Sequence, residues 1–343
     1  MNRKLVLLAA SALCLTLAGC VKDASESTGE TARKYLNLWM EANHPDVSAE
    51  TSGIYILEDI PGTGAQWDQE NAYIYASTTI RALNGTISST TEEAVAKQLG
   101  TYSIANYYGP KYQAVGEGFS YAGVDALLTG MKVGGKRTAV VPAWLLTTSR
   151  YNTQEEYIKA CTSSASLIYT VTLEGQTEDI AEAEKALLAQ YVSKNYGSVS
   201  PVSYVDGEDA DGTFYFISDT SGFDEEDALA SDAKVNLNYT GKLLSGKVFD
   251  TTLEKVAKDA GIYSDSKSYS PVSITFAESY SDIKMGDSGS PIDGFKGALS
   301  LMKWKGQKAT VLFTSARGYK DSGSGSSIPA YAPLIFELEI LED

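Results

Sequence analysis

Short stretches in the C-terminal part of the chain alternate apolar and polar residues with the two-residue period of a half-buried β-strand. In residues 234–239 Val, Leu and Tyr alternate with Lys and Asn, and residues 334–340 place Leu, Phe, Leu and Ile on one face. Residues 309–315 predict a further strand, and residues 295–302 predict a short helix. The combination predicts an α+β fold in which an antiparallel sheet curls round one helix.

Two longer segments, residues 31–43 and 177–195, have the periodicity of amphipathic helices. Their predicted apolar faces are Tyr35, Leu38, Trp39 and Ala42 in the first and Ile180, Ala183, Leu187 and Tyr191 in the second. Each helix is followed by a polar linker and an alternating strand that starts near a glycine, at residues 53–57 and 212–217. The sequence therefore predicts two tandem copies of one architecture, each preceded by a helix.

The first twenty residues have the layout of a cleaved secretion signal, with a basic start, an apolar stretch over residues 5–17 and small residues before Cys20. The apolar stretch is too short to span a bilayer stably. Leu17-Ala18-Gly19-Cys20 resembles the lipobox of bacterial lipoproteins, which implies cleavage after residue 19 and a lipid anchor on Cys20. A plain secretion signal or a short membrane anchor is the alternative.

Composition and charge exclude several function classes. The formal net charge is −16, and a chain this acidic repels the phosphate backbone of nucleic acids. The one histidine, His44, lies in a turn-prone stretch beside Pro45, so no histidine-based triad or His-rich zinc site is expected. Cys161 is the one cysteine outside the N-terminal segment, which leaves no intramolecular disulfide framework in the body of the protein.

Three motifs in order across residues 212–343 together resemble the FKBP-type peptidyl-prolyl cis-trans isomerases. Residues 235–250 (VNLNYTGKLLSGKVFD) are similar to the family's VxVHYTGxLxDGxxFD, and residues 292–308 are similar to its VIxGWxxGLxxMxxGEKR. Gly318-Tyr319, Ile328-Pro329 and residues 334–339 are similar to its AYG, IPP and LxFDVEL segments. The resemblance implies rotation of X-Pro peptide bonds in proline-containing or unfolded polypeptides.

The resemblance also implies a set of catalytic residues. These are Tyr239, Phe249, Asp250, Ile292, Phe295, Tyr319 and Phe336, with Val272 and Ile328 as further substrate-binding residues. Phe295 would form the floor of the pocket where the family usually has Trp, and the Tyr319 hydroxyl would donate to a substrate carbonyl. Asp250 would lie at the rim with Lys255 as its partner. Val272 would replace an aromatic residue of the pocket wall.

The chemistry agrees with this choice of residue types. Rotation about an X-Pro bond works against a barrier of about 18–20 kcal/mol because the amide has partial double-bond character. No bond is made or broken, so no nucleophile, metal or cofactor is expected. In the twisted transition state the carbonyl loses negative charge, and an apolar aromatic pocket therefore favours the twisted form over the planar amide.

The N-terminal copy keeps the resemblance in its opening strand, in residues 130–137 (GMKVGGKR) and in its closing strand, but loses it at the active positions. Thr78 stands where the family has Tyr, Ser88 and Ser89 where it has Phe and Asp, and Val124 where it has Trp. The predicted division is a signal peptide over 1–19, a lipidated tether and helix over 20–50, a degenerate FKBP-like domain over 51–176, a helix and linker over 177–211, and the isomerase domain over 212–343.

The sequence thus predicts a lipoprotein that isomerises X-Pro bonds of proteins outside the cytoplasm and is held to a Gram-negative membrane, most simply the outer one, on its periplasmic or surface face. A second hypothesis is a non-catalytic, chaperone-like peptide-binding lipoprotein with the same fold. The change of the floor residue to Phe295 and the change of a wall residue to Val272 favour that second hypothesis. A polysaccharide-binding surface protein is the third, and it rests on the anchor and the 22 tyrosines.

Overall fold

A computed structural model describes residues 26–70, 72–205, 207–277, 279–286 and 289–342 of the 343-residue chain. The predictions for the signal sequence and for Cys20 fall outside these residues. Within the described ranges, no helix has both the length and the apolar character that crossing a bilayer requires.

The first antiparallel sheet occupies the N-terminal half. The sheet consists of the strands β1 (Tyr55–Ile60), β2 (Tyr73–Ala82), β3 (Ile87–Thr90), β4 (Lys111–Ala114), β5 (Lys136–Val141) and β6 (Leu167–Thr177). The helices of this half are α1 (Thr28–Asn43), α2 (Glu93–Gln98), α3 (Ala122–Leu128) and α4 (Gln154–Ala160). The strand order is β1-β5-β6-β2-β3, and β4 also pairs with β2. A 3₁₀ turn, Ala143–Leu145, follows β5.

The helix α5 (Ile180–Tyr196) leads to a second antiparallel sheet. The remaining elements are the strands β7 (Phe214–Ile217), β8 (Lys234–Leu243), β9 (Val248–Thr251), β10 (Val272–Thr275), β11 (Lys284–Met285), β12 (Lys308–Phe313) and β13 (Leu334–Ile340), the helices α6 (Glu254–Asp259) and α7 (Asp293–Leu301), and the 3₁₀ turns Glu225–Asp227, Tyr280–Asp282 and Ser315–Arg317. The order is β7-β12-β13-β8-β10-β11, and β9 also pairs with β8. The predicted α+β class with antiparallel sheets is confirmed.

The two sheets share one strand order, apart from β11, which extends the C-terminal sheet beyond β10. In each, a long central strand, β2 or β8, has the closing strand β6 or β13 on one side and two short strands on the other. A short helix packs against the sheet in both halves, α3 on β5 and α7 on β12. The alternation predicted for the C-terminal sheet is confirmed, since Val235, Leu237, Leu334, Phe336, Leu338 and Ile340 are all buried.

The predicted apolar face of α1 is wrong except at Trp39, which packs against the core. The predicted face of α5 lies beside the fully buried one, since all four of its residues are partly buried and Tyr191 packs against the core under the helix. In α1 the buried residues are Gly29, Ala32, Leu36 and Met40, whereas Tyr35 and Leu38 are 57% and 66% exposed. In α5 the buried residues are Glu184, Leu188 and Val192. Both helices contain apolar residues on more than one face, and the surface each helix packs against selects the face that is buried. For α1 that surface is α4 and the turn Ala143–Leu145.

The helix α5 covers the outer face of the C-terminal sheet. Its Leu188 and Val192 form a small core with Tyr215, Leu312 and Ile335. Ile335 points away from the main core of that half, yet it is 2% exposed because α5 lies over it. The carboxylate of Glu184 accepts hydrogen bonds from the backbone N–H and the hydroxyl of Ser315, at 2.5 and 2.6 Å, and so links α5 to the turn after β12.

A flap follows the short edge strand in each half. We define the N-terminal flap as residues 91–110 and the C-terminal flap as residues 252–271. The segments 90–103 and 251–264 share the pattern Thr-Thr-x-Glu-x-Val-Ala-Lys-x-x-Gly-x-Tyr-Ser. Each begins with a short helix, α2 or α6, and each stacks two tyrosine rings, Tyr102 on Tyr108 at 5.4 Å and Tyr263 on Tyr269 at 5.3 Å. The flap is therefore one structural unit present twice.

Candidate functional site

A cavity of about 380 Å³ opens in the C-terminal half beside the first turn of α7. Its lining contains Tyr239, Phe249, Asp250, Met285, Ser290, Pro291, Ile292, Phe295, Tyr319, Ser324, Ser327, Ile328 and Phe336. All seven predicted catalytic residues are among them, together with the predicted substrate-binding residue Ile328. These eight residues come from the strands β8, β9 and β13, from the start of α7 and from the segment that follows β12, so only the folded chain brings them together.

The floor of the cavity is a cluster of aromatic rings. Phe295 is 3% exposed, and its ring lies perpendicular to that of Phe336, with the ring centres 5.1 Å apart. The Tyr239 ring meets Phe295 edge to face at 5.6 Å. Edge-to-face contacts place the positive ring edge against the negative ring face, which stabilises this arrangement. The cluster fixes a rigid apolar base at the position predicted for it.

A glycine in β8 makes room for the aromatic wall. Gly241 is paired with Phe336 on β13. A Cβ at Gly241 would lie 2.5 Å from the Phe249 ring and 2.9 Å from the Phe336 ring, closer than any real contact. Because the glycine has no side chain, Phe249 packs edge to face on Phe336 with ring centres 5.6 Å apart. The glycine of the Tyr-Thr-Gly motif is thus required because any side chain there would clash with the aromatic wall.

Asp250 lies at the rim and is held by three groups. The Tyr239 hydroxyl donates to one carboxylate oxygen at 2.7 Å, and the Thr251 backbone N–H donates to the other at 2.9 Å. The ammonium group of Lys267, in the C-terminal flap, forms an ion pair with the same carboxylate. The side chain of Asp250 is therefore fixed in one orientation towards the cavity.

The prediction that Lys255 partners Asp250 is wrong. Lys255 is the second residue of α6, and its ammonium group pairs with Asp259 one helical turn later at 2.5 Å. Helix formation at Glu254 directs Lys255 into solvent, where its side chain is 85% exposed. Lys267 takes its place from the far end of the flap, a position that spacing along the sequence does not reveal.

Two tyrosine hydroxyls at the cavity stay protonated well above neutral pH. Burial raises the pKa of Tyr239, and its hydrogen bond to Asp250 and the charge of that carboxylate add to the increase. Burial also raises the pKa of Tyr319, with a smaller contribution from the negative charge of Asp250. Both phenols therefore remain hydrogen-bond donors over the whole physiological range of pH.

Val272 lies elsewhere. It begins β10, where it pairs with Leu237 of β8 and packs, partly buried, against the C-terminal core. It is not among the residues that line the cavity. Met285 on the short strand β11 lines the cavity instead, and no motif marked it in advance. Lys267 was also missed, although the repeated flap sequence marks its segment as a defined unit.

The N-terminal half places small residues, two serines and a valine, at three of the corresponding positions. Ser89 lies opposite Ile80 in the β2–β3 pair as Asp250 lies opposite Gly241 in the β8–β9 pair. Val124 is the third residue of α3, as Phe295 is of α7. Ser88, at the position of Phe249, donates its hydroxyl to the Ile80 carbonyl at 3.2 Å. This half has the strand order of the other without its aromatic wall or rim carboxylate.

Comparison with known proteins gives the same assignment for the C-terminal half. Residues 225–341 match the model of the family described as FKBP-type peptidyl-prolyl cis-trans isomerase. A probable FKBP-type peptidyl-prolyl cis-trans isomerase of Haemophilus influenzae is 31% identical over 116 residues, which are 34% of this chain and 37% of that protein. An FK506-binding protein of Neisseria meningitidis serogroup B is 29% identical over 109 residues, 32% of this chain and 78% of that protein.

The chain is also similar to solved structures. The crystal structure of a peptidyl-prolyl cis-trans isomerase from Pseudomonas syringae is 24% identical and aligns with a TM-score of 0.31, covering 49% of this chain and 96% of that one.

Proposed function

We propose that this chain, whose residues 225–341 are an FKBP-type peptidyl-prolyl cis-trans isomerase domain, catalyses rotation of X-Pro peptide bonds in polypeptide substrates. The observation that carries the proposal is the convergence of the seven predicted residues on one cavity. That cavity has an aromatic floor at Phe295 and Phe336 and a fixed carboxylate, Asp250, at its rim.

The geometry supports catalysis by differential binding of the twisted amide. An apolar floor solvates the planar, polar amide poorly and the twisted amide better, because twisting removes negative charge from the carbonyl oxygen. The Tyr319 hydroxyl stays protonated at the cavity wall and donates to a carbonyl of the bound peptide, which holds the chain while the bond turns. Rotation makes and breaks no bond, so neither a covalent intermediate nor a metal takes part.

The test is acceleration of proline isomerisation in a short peptide and in a protein whose refolding is limited by it. Uncatalysed isomerisation takes tens to hundreds of seconds, so catalysis is easily resolved. The full chain should accelerate both reactions, equally with and without EDTA. Phe249→Ala and Tyr319→Phe should each reduce kcat/KM. No acceleration over the uncatalysed rate, or acceleration that both substitutions leave unchanged, would refute the proposal and favour a non-catalytic peptide-binding protein.

The N-terminal half is a second, non-catalytic copy of the same architecture. Its shared strand order supports this, and so do the residues Thr78, Ser88, Ser89 and Val124 at the four active positions. The variants above test it in the intact chain. If Phe249→Ala combined with Tyr319→Phe leaves substantial isomerase activity, the N-terminal half is catalytic and this assignment fails.

The protein acts outside the cytoplasm, tethered to a membrane through lipid on Cys20. The segment Leu17-Ala18-Gly19-Cys20 after an apolar stretch supports this placement. Its clients would then be proline-containing proteins that fold in the periplasm or at the surface of a Gram-negative cell. Cys20→Ser should release the protein from the membrane fraction. If the variant stays in that fraction with an uncleaved signal, the anchor is the apolar segment and not a lipid.

A further inference from the structure

The N-terminal flap reaches across to the C-terminal half. The backbone N–H of Tyr107 donates to the Ser326 carbonyl at 2.7 Å, and the Ser326 hydroxyl donates to the side-chain oxygen of Asn106 at 2.6 Å. The Tyr107 ring also packs against the core of the C-terminal half. The N-terminal flap therefore holds Ser326 through both its backbone and its side chain.

Ser326 belongs to the loop that forms one wall of the isomerase cavity. We call residues 321–328 the cavity loop; its Ser324, Ser327 and Ile328 line the cavity. Inside the loop, Ser324 and Ile328 exchange two backbone hydrogen bonds, at 2.8 and 3.1 Å. The loop sequence, Asp-Ser-Gly-Ser-Gly-Ser-Ser-Ile, consists mainly of small residues that order poorly without outside contacts.

The cavity loop separates the isomerase cavity from a second cavity. That second cavity, about 410 Å³, lies between the halves and is lined by Asn106 and Tyr107 of the flap and by Gly325, Ser326 and Ile328 of the loop. Ile328 borders both cavities. One side of the loop thus faces the isomerase site while the other side is held by the N-terminal half.

The two flaps use corresponding residues for different contacts. The shared sequence pattern aligns Asn106 with Lys267. Lys267 pairs with Asp250 at the rim of its own half, whereas Asn106 accepts from Ser326 of the other half. Further contacts hold the N-terminal flap in place: the ammonium group of Lys247 donates to the Ile104 carbonyl, and the Ile104 side chain lies against Gly261. The C-terminal flap therefore contacts the rim carboxylate itself, whereas the N-terminal flap contacts the loop that walls the cavity.

We infer that Asn106 is a positioning residue of the isomerase site, which, with the backbone of Tyr107, holds the cavity loop in the conformation that binds the peptide. This inference rests on the proposed function. Without the contact the loop samples other conformations, and each binding event must order it again, which weakens substrate binding. The rotation step itself takes place on the aromatic floor and does not involve the loop hydrogen bond. The N-terminal half thus contributes to substrate affinity without any catalytic residue of its own.

The test compares full-length Asn106→Ala with wild type in peptide isomerisation. KM should rise about threefold to tenfold, the factor corresponding to one neutral hydrogen bond, while kcat stays within about twofold. Ser326→Ala should give the same shift. The double variant should be no worse than either single variant, because all three lose one and the same hydrogen bond. Asn152→Ala, an exposed asparagine elsewhere in the N-terminal half, is the matched control and should leave KM unchanged.

Hydrogen exchange supplies a readout that needs no activity. Peptides covering the cavity loop should exchange faster in Asn106→Ala than in wild type or Asn152→Ala, while exchange in β12 stays the same. An unchanged KM, a lower kcat at constant KM, additive effects in the double variant or unchanged exchange in the loop would each overturn the inference. If the wild type itself shows no isomerase activity, the proposed function fails. Loop exchange then still decides whether Asn106 orders the loop.

Discussion

The Tyr239 hydroxyl donates a hydrogen bond to the Asp250 carboxylate at 2.7 Å across the β8–β9 pair. This bond joins the aromatic floor to the rim of the cavity, because the same Tyr239 ring meets Phe295 edge to face. Lys267 pairs with the other carboxylate oxygen of Asp250. The pair therefore links the sheet, the floor and the C-terminal flap through one carboxylate.

Tyr239→Phe should keep the ring contacts and remove the hydrogen bond to Asp250. We expect kcat/KM for a proline peptide to fall about twofold to tenfold, as for the loss of one side-chain hydrogen bond. The wild-type rate should stay constant from pH 7 to pH 9, since burial and Asp250 raise the pKa of this phenol above its ordinary value of 10.0. A fall in the wild-type rate within that range, with Tyr239→Phe unaffected by pH, would contradict the assignment.

Lys267→Ala should weaken the site, whereas Lys255→Ala should not. The first substitution removes the cation beside Asp250, and the second removes a solvent-exposed pair with Asp259. Because the Lys267–Asp250 pair is partly exposed, we expect at most about a fivefold loss of kcat/KM. The difference between the two variants should shrink as salt is raised. A larger loss of kcat/KM in Lys255→Ala than in Lys267→Ala would instead support Lys255 as the partner of Asp250.

Gly323→Ala should raise KM and lower the melting temperature more than Gly325→Ala. Both glycines have positive φ, +61° and +53°, so both substitutions carry backbone strain of about 1 kcal/mol. A Cβ at Gly323 would also lie 2.3 Å from the Ile328 carbonyl oxygen, whereas a Cβ at Gly325 meets nothing within 4 Å. The clash is with backbone and must displace the cavity wall. If the two substitutions change the melting temperature and KM by equal amounts, this packing is ruled out.

Glu184 should make stability depend on pH in a direction unusual for a hydrogen-bonded carboxylate. Burial raises its pKa above 4.5, although the two hydrogen bonds from Ser315 oppose that increase. A carboxyl with a raised pKa binds its proton more tightly in the folded state, so its contribution to stability falls as pH rises from about 4.5 through the raised value. Glu184→Gln cannot ionise and lacks this loss. As pH rises from 4 to 7, its melting temperature should therefore increase relative to that of wild type.

Glu184→Ala is the companion variant. It leaves the buried N–H and hydroxyl of Ser315 without their acceptor, so we expect a loss of about 1–3 kcal/mol at all pH values. If Glu184→Gln shows the same pH profile as wild type, this carboxyl does not titrate in the range that burial implies.

The sequence motifs predicted the contents of the cavity well. All seven proposed catalytic residues and Ile328 line it, because residues on alternating strands and at the start of a short helix have side-chain directions set by local structure. Tyr239 and Phe336 lie on the cavity-facing side of their strands, and α7 (Asp293–Leu301) begins two residues before the predicted start at residue 295. Val272 did not follow, since its strand pairs with β8 and packs its side chain against the core.

Contacts between distant segments were not predictable from the same patterns. Lys255 has the expected spacing from Asp250, but α6 turns it away and the flap returns Lys267 to the carboxylate. The repeated flap sequence was visible in the chain, yet nothing local distinguishes Asn106, which contacts the other half, from Lys267, which contacts its own. The buried faces of α1 and α5 were likewise set by the surfaces they pack on.

The sequence by itself determined the two antiparallel sheets and most of the aromatic cavity, because strand alternation and turn glycines act over a few residues. Only the tertiary structure decided which lysine reaches Asp250, which helix faces are buried and how the N-terminal flap meets the cavity loop. Those choices depend on the summed packing of segments far apart in the chain. Ser326 and Asn106, for example, are 220 residues apart and form a 2.6 Å hydrogen bond that no local pattern encodes.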